Sequence, residues 1–412
     1  MEQLIAVIDL KSFYASCECA CRHLDIFKTP LVCCDPYRSS SSVVMSATPY
    51  LKKKYGIPNV CRRRDLPYVP GMIYAVPRMS YYLQMSAKVV SIFLDYVAEE
   101  DLHVYSVDES FLNLAPYLNL YHCSAEELVA RIQKSIKDKL GLLATAGIGP
   151  NMFLAKIALD NEGKKREPYI AHWDYDDVPA KLWSISPITK IWGIAEGTSD
   201  HLARIGIRSL YELAHASDEL LQKEFGIMGG QLKALANGRD ESDIEVKYTP
   251  KNVSLSLGQT LRRPYYPSEA LLILREMVDD LSNRLRSAGF LCQKVAVWAS
   301  YGDRGSFGKQ MALPIATDDT ATLYAAVKEV FSYGQELPIR GLSINFGSLN
   351  NPEKEQVSLF LDDTLRQEQK SLDRSLDAIR GRYGKNSVLR CSSLLGGSTI
   401  RSRHEQIGGH KQ

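Results

Sequence analysis

By the spacing of its apolar residues, the chain opens on a buried strand. Residues 4–10 (LIAVIDL) form a short β-branched run with Asp9 near its end. Helical character follows over 12–24, then a strand over 30–35, a serine-rich turn at 39–42, a strand-like piece over 43–46 and a helix over 50–56 stopped by Gly56. Residues 81–96 repeat apolar positions at helical spacing. Residues 103–114 divide into two strand-like halves around Asp108 and Glu109, which predicts a hairpin with two carboxylates at its apex. A helix over 125–140, a strand over 143–149 and a helix over 151–160 complete this stretch.

At Ile185 the texture changes to short helices with glycine turns, including Gly193 and Gly197. Strand-like pieces return from Val253, separated by a long amphipathic helix over 270–286. The chain after Asp362 is helical at first and ends in Gly/Ser/Arg-rich sequence. No internal repeat or long low-complexity tract interrupts it.

With 412 residues, the chain exceeds what one core organises, so several domains are expected. Its 45% hydrophobic and 24% charged residues are ordinary for a folded soluble protein. The start lacks the basic region and cleavage site of a signal peptide, and no run approaches the roughly 18 apolar residues of a membrane span. A cytoplasmic protein with no membrane partner is expected. The nine cysteines lack paired zinc spacing and read as reduced packing residues. A net charge of +2 gives no global sign of nucleic-acid binding. The basic residues fall instead in patches: Arg62 to Arg64, Arg262 with Arg263, and the tail.

Two strand ends thus present Asp9 and the pair Asp108 and Glu109, with no His or Cys in either motif. Hard carboxylate oxygens without soft ligands favour Mg²⁺ or Mn²⁺ over zinc. Two such ions about 4 Å apart serve phosphoryl transfer, stabilising attacking and leaving oxygens together.

The run from Asp9 to Glu18 (DLKSFYASCE) resembles the first palm motif of the Y-family DNA polymerases, and residues 105–112 (YSVDESFL) resemble their second carboxylate motif. The resemblance runs to Phe360, and the tail looks like that of UmuC-type members from Gram-positive bacteria. It implies Asp9, Asp108 and Glu109 as catalytic metal ligands, joined by the backbone carbonyl of Leu10. Phe13 and Tyr14 match the pair beneath the incoming nucleotide, with Tyr14 as the steric gate against a 2′-hydroxyl. Tyr50 and Lys53 match triphosphate-binding residues of the fingers, where Arg is commoner at the second position; Lys keeps the charge but loses the fork. The family's phosphate-binding lysine falls near Gly163 by direct spacing, so Lys164 or Lys165 takes its place after a shift, with Lys164 preferred.

Residues 191–213 resemble a helix-hairpin-helix, in which Gly193 and Gly197 let backbone N–H groups approach a DNA phosphate. Residues 253–348 resemble the little finger, with Arg262 and Arg263 near the duplex backbone. Gln356, Leu359 and Phe360 resemble a peptide that attaches bacterial polymerases to the sliding clamp.

The resulting expectation is an α+β multidomain right hand: a ferredoxin-like palm over 1–30 and 78–172, small fingers over 31–77, a helix-hairpin-helix thumb over 173–245, an α/β little finger over 250–350 and a clamp-binding tail over 351–412. It implies a low-fidelity, lesion-bypassing polymerase acting on primer–template DNA and dNTP with two Mg²⁺ ions, open to other damage-response proteins. A non-catalytic DNA- and clamp-binding accessory is the alternative of a different class, disfavoured because a binding module has no need of three metal ligands. A cyclase-like palm enzyme acting on free nucleotides is disfavoured by the hairpin thumb and the clamp-like peptide.

Overall fold

The computed structural model describes residues 3–37, 39–246, 250, 252–351 and 363–411. The chain divides into two compact units, Met1–Lys247 and Tyr248–Gln412.

The first unit is organised by a five-stranded sheet in the order Ile170–His172, Ala144–Gly149, Ile5–Leu10, Glu109–Asn113 and Leu102–Val104. The apolar Ile5–Leu10 run lies at its centre, antiparallel to both neighbours, and so burial takes Ile5, Ala6, Val7 and Ile8 almost completely. Helices Met79–Leu94 and Ala125–Leu140 pack on this sheet and on each other. The second of these begins with a capping box between Ser124 and Glu127 and ends at Gly141 in the left-handed region, φ 68°.

A smaller layer is inserted between the first helix, Phe13–Ala20, and Met79–Leu94. Its strands run in the order Ser46–Ala47, Leu31–Cys33, Ile73–Ala75, with a two-residue pair of Val43–Val44 and Cys61–Arg62 beside them. Helix Pro49–Tyr55 closes it, and Val32, Val44, Leu51 and Val69 form its core. Four short helices, Glu196–Arg204, Leu210–His215, Asp218–Phe225 and Ile227–Ala236, then bury Leu202, Leu210, Leu213, Leu221 and Leu232 together with Trp173 and Phe153.

The second unit is a four-stranded antiparallel sheet, ordered Leu255–Tyr265, Ile339–Asn350, Leu291–Ser300, Ser306–Thr317. Helices Pro267–Ser287 and Thr320–Ser332 cover one face and share its core. The other face carries small and polar residues around Trp298, which is 44% exposed.

The segment that follows the expected clamp peptide belongs to this second unit. Arg286 on Pro267–Ser287 receives Asp373 and Asp377 from helix Asp363–Tyr383 at 3.3 and 2.5 Å. Arg390 reaches Asp279 at 2.6 Å, Arg403 reaches Asp280 at 2.8 Å, and Glu276 accepts from Ser398 and the Thr399 N–H. The tail is a strap over the carboxylate stripe of one helix. Gln356, Leu359 and Phe360 lie outside the described residues. Among the described residues, no helix is long and apolar enough to cross a membrane.

Candidate active site

The carboxylates meet because of strand register. Asp9 pairs with Glu109 across antiparallel strands, which puts both side chains on one face of the sheet. Asp108 occupies the turn before Glu109; that turn is tied down by N–H groups of Tyr105 and Ser106 donating to the Glu109 carbonyl at 3.1 and 3.0 Å. The Leu10 N–H donates to the Asp108 carbonyl at 2.9 Å, locking the turn to the central strand. The half-buried Asp108 carboxylate accepts from Ser106 Oγ at 2.8 Å.

Two lysines face these acids. Lys164 Nζ is 3.0 Å from Asp9 Oδ2 and 2.9 Å from Asp160 Oδ1. Lys156 Nζ, nearly buried, is 2.8 Å from Glu109 Oε1 and 3.2 Å from Asp160 Oδ2. Burial nevertheless pushes the Asp9 carboxyl above the usual range, with Lys164 opposing and Asp108 reinforcing the shift. Glu109 is raised for the same first reason, against the pull of Lys156. Burial alone would lower the Lys164 ammonium, but Asp9 and Asp160 outweigh it and hold its pKa above the ordinary lysine value.

Among the described residues, no three His, Cys, Asp or Glu side chains converge at metal-ligand spacing, because Asp9 and Glu109 are each drawn to a lysine. The donor set still fits a hard divalent cation. Asp9 stands opposite Glu109 with Asp108 in the adjoining turn, both lysines reach Asp160 as well, and they leave Asp9 and Glu109 short of full compensation.

The position of Lys164 has a local cause. Helix Met152–Ala158 runs into a π-helical turn, Leu159–Gly163, closed by the Lys164 N–H on the Leu159 carbonyl at 3.0 Å. A π turn carries one residue more than an α turn. Gly163 is required at its back, since a Cβ there would lie 2.3 Å from the Ala146 carbonyl oxygen. The extra residue delivers Lys164 to Asp9 and leaves Lys165 exposed.

Ser12, at φ 49°, turns the chain sharply from the central strand into helix Phe13–Ala20. Phe13 is buried and Tyr14 half-buried, their ring centroids 5.5 Å apart, with Tyr14 5.0 Å from Tyr82. Burial raises the Tyr14 phenol, and the Asp108 charge adds to the effect. Glu18, fully buried at the far end of this helix, accepts from Arg78 Nε and Nη2 at 2.9 and 3.0 Å and from Tyr82 Oη at 2.7 Å. Burial opposes its charge; Arg78, Arg22 and Tyr82 overcome it and hold its pKa below the ordinary value. Glu18 therefore anchors the helix that presents Tyr14.

Other expected residues stand farther from the acids or in other roles. Lys53 is exposed, whereas Lys52 on the same helix is half-buried, its ammonium lowered by burial and by Lys11. The Tyr50 hydroxyl accepts from Lys54 Nζ at 2.9 Å. Gly193, at φ 93°, and Gly197, with open space where its Cβ would stand, lie before and within helix Glu196–Arg204. Arg263 pairs with Glu269 at 2.5 Å and stacks on Tyr265, while its neighbour Arg262 is exposed.

Lys11, Lys156 and Asp160 touch the expected residues, and motif matching missed them. For Lys156 and Asp160 a signal existed: an i, i+4 cation–carboxylate pair inside an otherwise apolar helix. Trp192 is another, its Nε1–H donating to Tyr105 Oη at 3.2 Å beside the carboxylate turn.

Comparison with known proteins places the chain in a family. The impB/mucB/samB family matches residues 8–160, and its C-terminal domain matches residues 252–359. The putative UV-damage repair protein UvrX of Bacillus subtilis (strain 168) is 33% identical, covering 99% of this chain and 97% of that protein. DNA polymerase IV 2 of the same organism is 30% identical, covering 99% of each chain. The solved Y-family DNA polymerase chimera Dbh-Dpo4(243-245)-Dbh superposes with TM-score 0.68 at 20% identity, covering 84% of this chain and 99% of that one, a likeness of fold.

Proposed function

The chain belongs to the impB/mucB/samB family of UmuC-type Y-family DNA polymerases and is a DNA-directed DNA polymerase, and from that premise we propose that it performs low-fidelity translesion synthesis by two-metal nucleotidyl transfer. The observation that carries the reading is the register of Asp9 opposite Glu109 with Asp108 in the adjoining turn, faced by Lys164. The primer 3′-hydroxyl attacks the α-phosphate of a dNTP, and pyrophosphate leaves.

Asp9, Asp108, Glu109 and the Leu10 carbonyl would hold two Mg²⁺ ions, which supply charge stabilisation at the attacking and leaving oxygens when bound. Lys164, already half-desolvated, exchanges carboxylate for triphosphate oxygens as the nucleotide enters. Lys52 brings a second positive charge from the inserted layer. The N–H groups of Phe13 and Tyr14 at the start of their helix meet triphosphate oxygens. The Tyr14 ring lies beneath the sugar and leaves no room for a 2′-hydroxyl. The inserted layer, built on strands of two and three residues, offers little surface to test base-pair shape, which supports tolerance of damaged templates.

Gly193 and Gly197 open the thumb backbone to a DNA phosphate, and Arg262 and Arg263 supply charge to the duplex. Attachment to a sliding clamp through Gln356, Leu359 and Phe360, and a cytoplasmic location, rest on sequence alone.

Primer extension with Mg²⁺ and four dNTPs tests the reading, comparing wild type with Asp108→Ala on undamaged and abasic templates. Wild-type extension across the abasic site, abolished by Asp108→Ala, is expected. Intact DNA binding without extension under any condition would replace it with the accessory reading.

A further inference from the structure

We propose that Lys11 is a positioning residue for the nucleotide: its ammonium holds the Lys164 carbonyl and so aims the Lys164 side chain at the triphosphate. The inference rests on the polymerase reading above and adds a residue that the catalytic motif does not account for.

The Lys11 Nζ donates to the Lys164 carbonyl oxygen at 2.7 Å and lies 4.6 Å from the centroid of the Tyr169 ring. Hydrogen bond and ring face together account for an ammonium that is half-buried, so Lys11 is committed to the protein rather than offered to a ligand. Both ends of this bridge are rigid. The Lys11 N–H donates to the Leu143 carbonyl at 2.9 Å, its own carbonyl accepts from Ser16 Oγ at 2.5 Å, and Ser12 follows at φ 49°.

Tyr169 is held in the left-handed region at φ 62°, uncommon for a bulky residue. Its carbonyl accepts from the Ala146 N–H at 2.7 Å and from Gln133 Nε2 at 3.2 Å. Strain of this kind persists only where the surroundings over-determine it, and here it sets an aromatic face beneath a cation.

The bridge lands where it matters. Lys164 is the residue displaced outward by the π turn, and its main chain leaves that turn with its N–H directed to the Leu159 and Glu162 carbonyls. An ammonium on its carbonyl fixes the direction in which the side chain departs toward Asp9. A misplacement of about 1 Å at such a contact can cost roughly 100-fold in rate.

A double-mutant cycle separates this role from general stability. Lys11→Met keeps the aliphatic stem over Tyr169 and removes the donor; Lys11→Arg restores one. The enzymes are Lys11→Met, Lys11→Arg, Lys164→Ala and Lys11→Met/Lys164→Ala, on primed DNA, with KM for dTTP and kcat read separately. Ternary-complex formation on a dideoxy-terminated primer is read by gel shift.

Lys11→Met should raise the KM for dTTP about 10-fold and weaken the ternary complex alike, with DNA affinity unchanged, and add little in the Lys164→Ala background. Lys11→Arg should recover most of the loss. A full, additive effect of Lys11→Met in that background would overturn the proposal, as would an unchanged KM. Should Lys11→Met lower the melting midpoint, Lys11→Leu, which also lacks a donor, carries the same cycle. Wild-type extension is the control: its failure removes the polymerase reading, whereas additivity with an active wild type removes only the role of Lys11.

Discussion

Two clusters of ionised side chains lie largely out of solvent in this protein, and they are built oppositely. In the N-terminal unit the cations are lysines: Lys156 and Lys164 face Glu109, Asp9 and Asp160. In the C-terminal unit they are chiefly arginines: Arg286 holds Asp373 and Asp377, Arg390 holds Asp279, and Arg403 with His404 holds Asp280. A guanidinium fork satisfies a carboxylate geometrically, whereas an ammonium on a flexible stem is a point charge that can change partners. The acids respond accordingly. Burial wins at Asp9 and Glu109, whose pKa values are raised; at Asp280 burial is overcome by His404 and Arg403, and the pKa is lowered. One cluster is under-compensated, as the proposed site for cations and phosphates requires, and the other is closed and holds the tail in place.

The largest contrast should appear on removing one acid. Asp9→Asn should reduce primer extension on the order of 10³-fold, since it strips a charge that the transition state requires. Because burial disfavours that charge in the folded protein, the melting midpoint should not fall. Calorimetry beside extension assays decides it; a large drop in the midpoint would make Asp9 a structural residue like those of the strap.

The reverse experiment is Arg286→Met. This arginine is 9% exposed and serves two carboxylates, so removing it leaves Asp373, itself 3% exposed, without its cation. Breaking such a pair costs about 3–5 kcal/mol. Urea unfolding should show an early transition of the C-terminal unit, while kcat on saturating DNA stays near wild type. A loss below about 1 kcal/mol would show that the strap is surface decoration.

The contrast also explains what could be read from the chain. The strand carrying Asp9 and the hairpin carrying Asp108 and Glu109 were legible because local periodicity and a turn specify them. The stop of Pro49–Tyr55 was legible in Gly56, whose φ of 65° needs no Cβ. The π turn was not, because it depends on Gly163 fitting against the Ala146 carbonyl of the preceding strand, a tertiary contact that local periodicity does not encode. The half-burial of Lys52 beside exposed Lys53 turns on the face a seven-residue helix buries, which three consecutive lysines do not encode. The strap pairs residues about as far apart as Arg390 and Asp279, and in sequence its arginines look like any basic tail.

A smaller effect sharpens the palm side. Lys164→Ala should weaken dNTP binding about 10- to 100-fold, the worth of a charge-assisted contact in a desolvated site. Exposed Lys165→Ala should change it less than about 3-fold. Single-turnover titration with dNTP measures both, and the reverse ranking would move the phosphate contact one residue along.

The smallest expected effect tests the closed cluster by pH. Asp280 accepts from His404 Nε2 at 2.7 Å and pairs with Arg403 at 2.8 Å, and its folded pKa is depressed. A depressed carboxylate stabilises the fold above its unfolded value, about 3.9, and that stability disappears as pH falls through the lower folded value. Asp280→Asn should therefore cost roughly 1–2 kcal/mol at pH 6. The gap between wild type and variant should close on acidification well below that unfolded value, where the wild-type carboxyl is itself protonated. Urea titrations at the two pH values make the comparison, and a gap that persists in acid would assign the stability to packing of the strap rather than to the charge of Asp280.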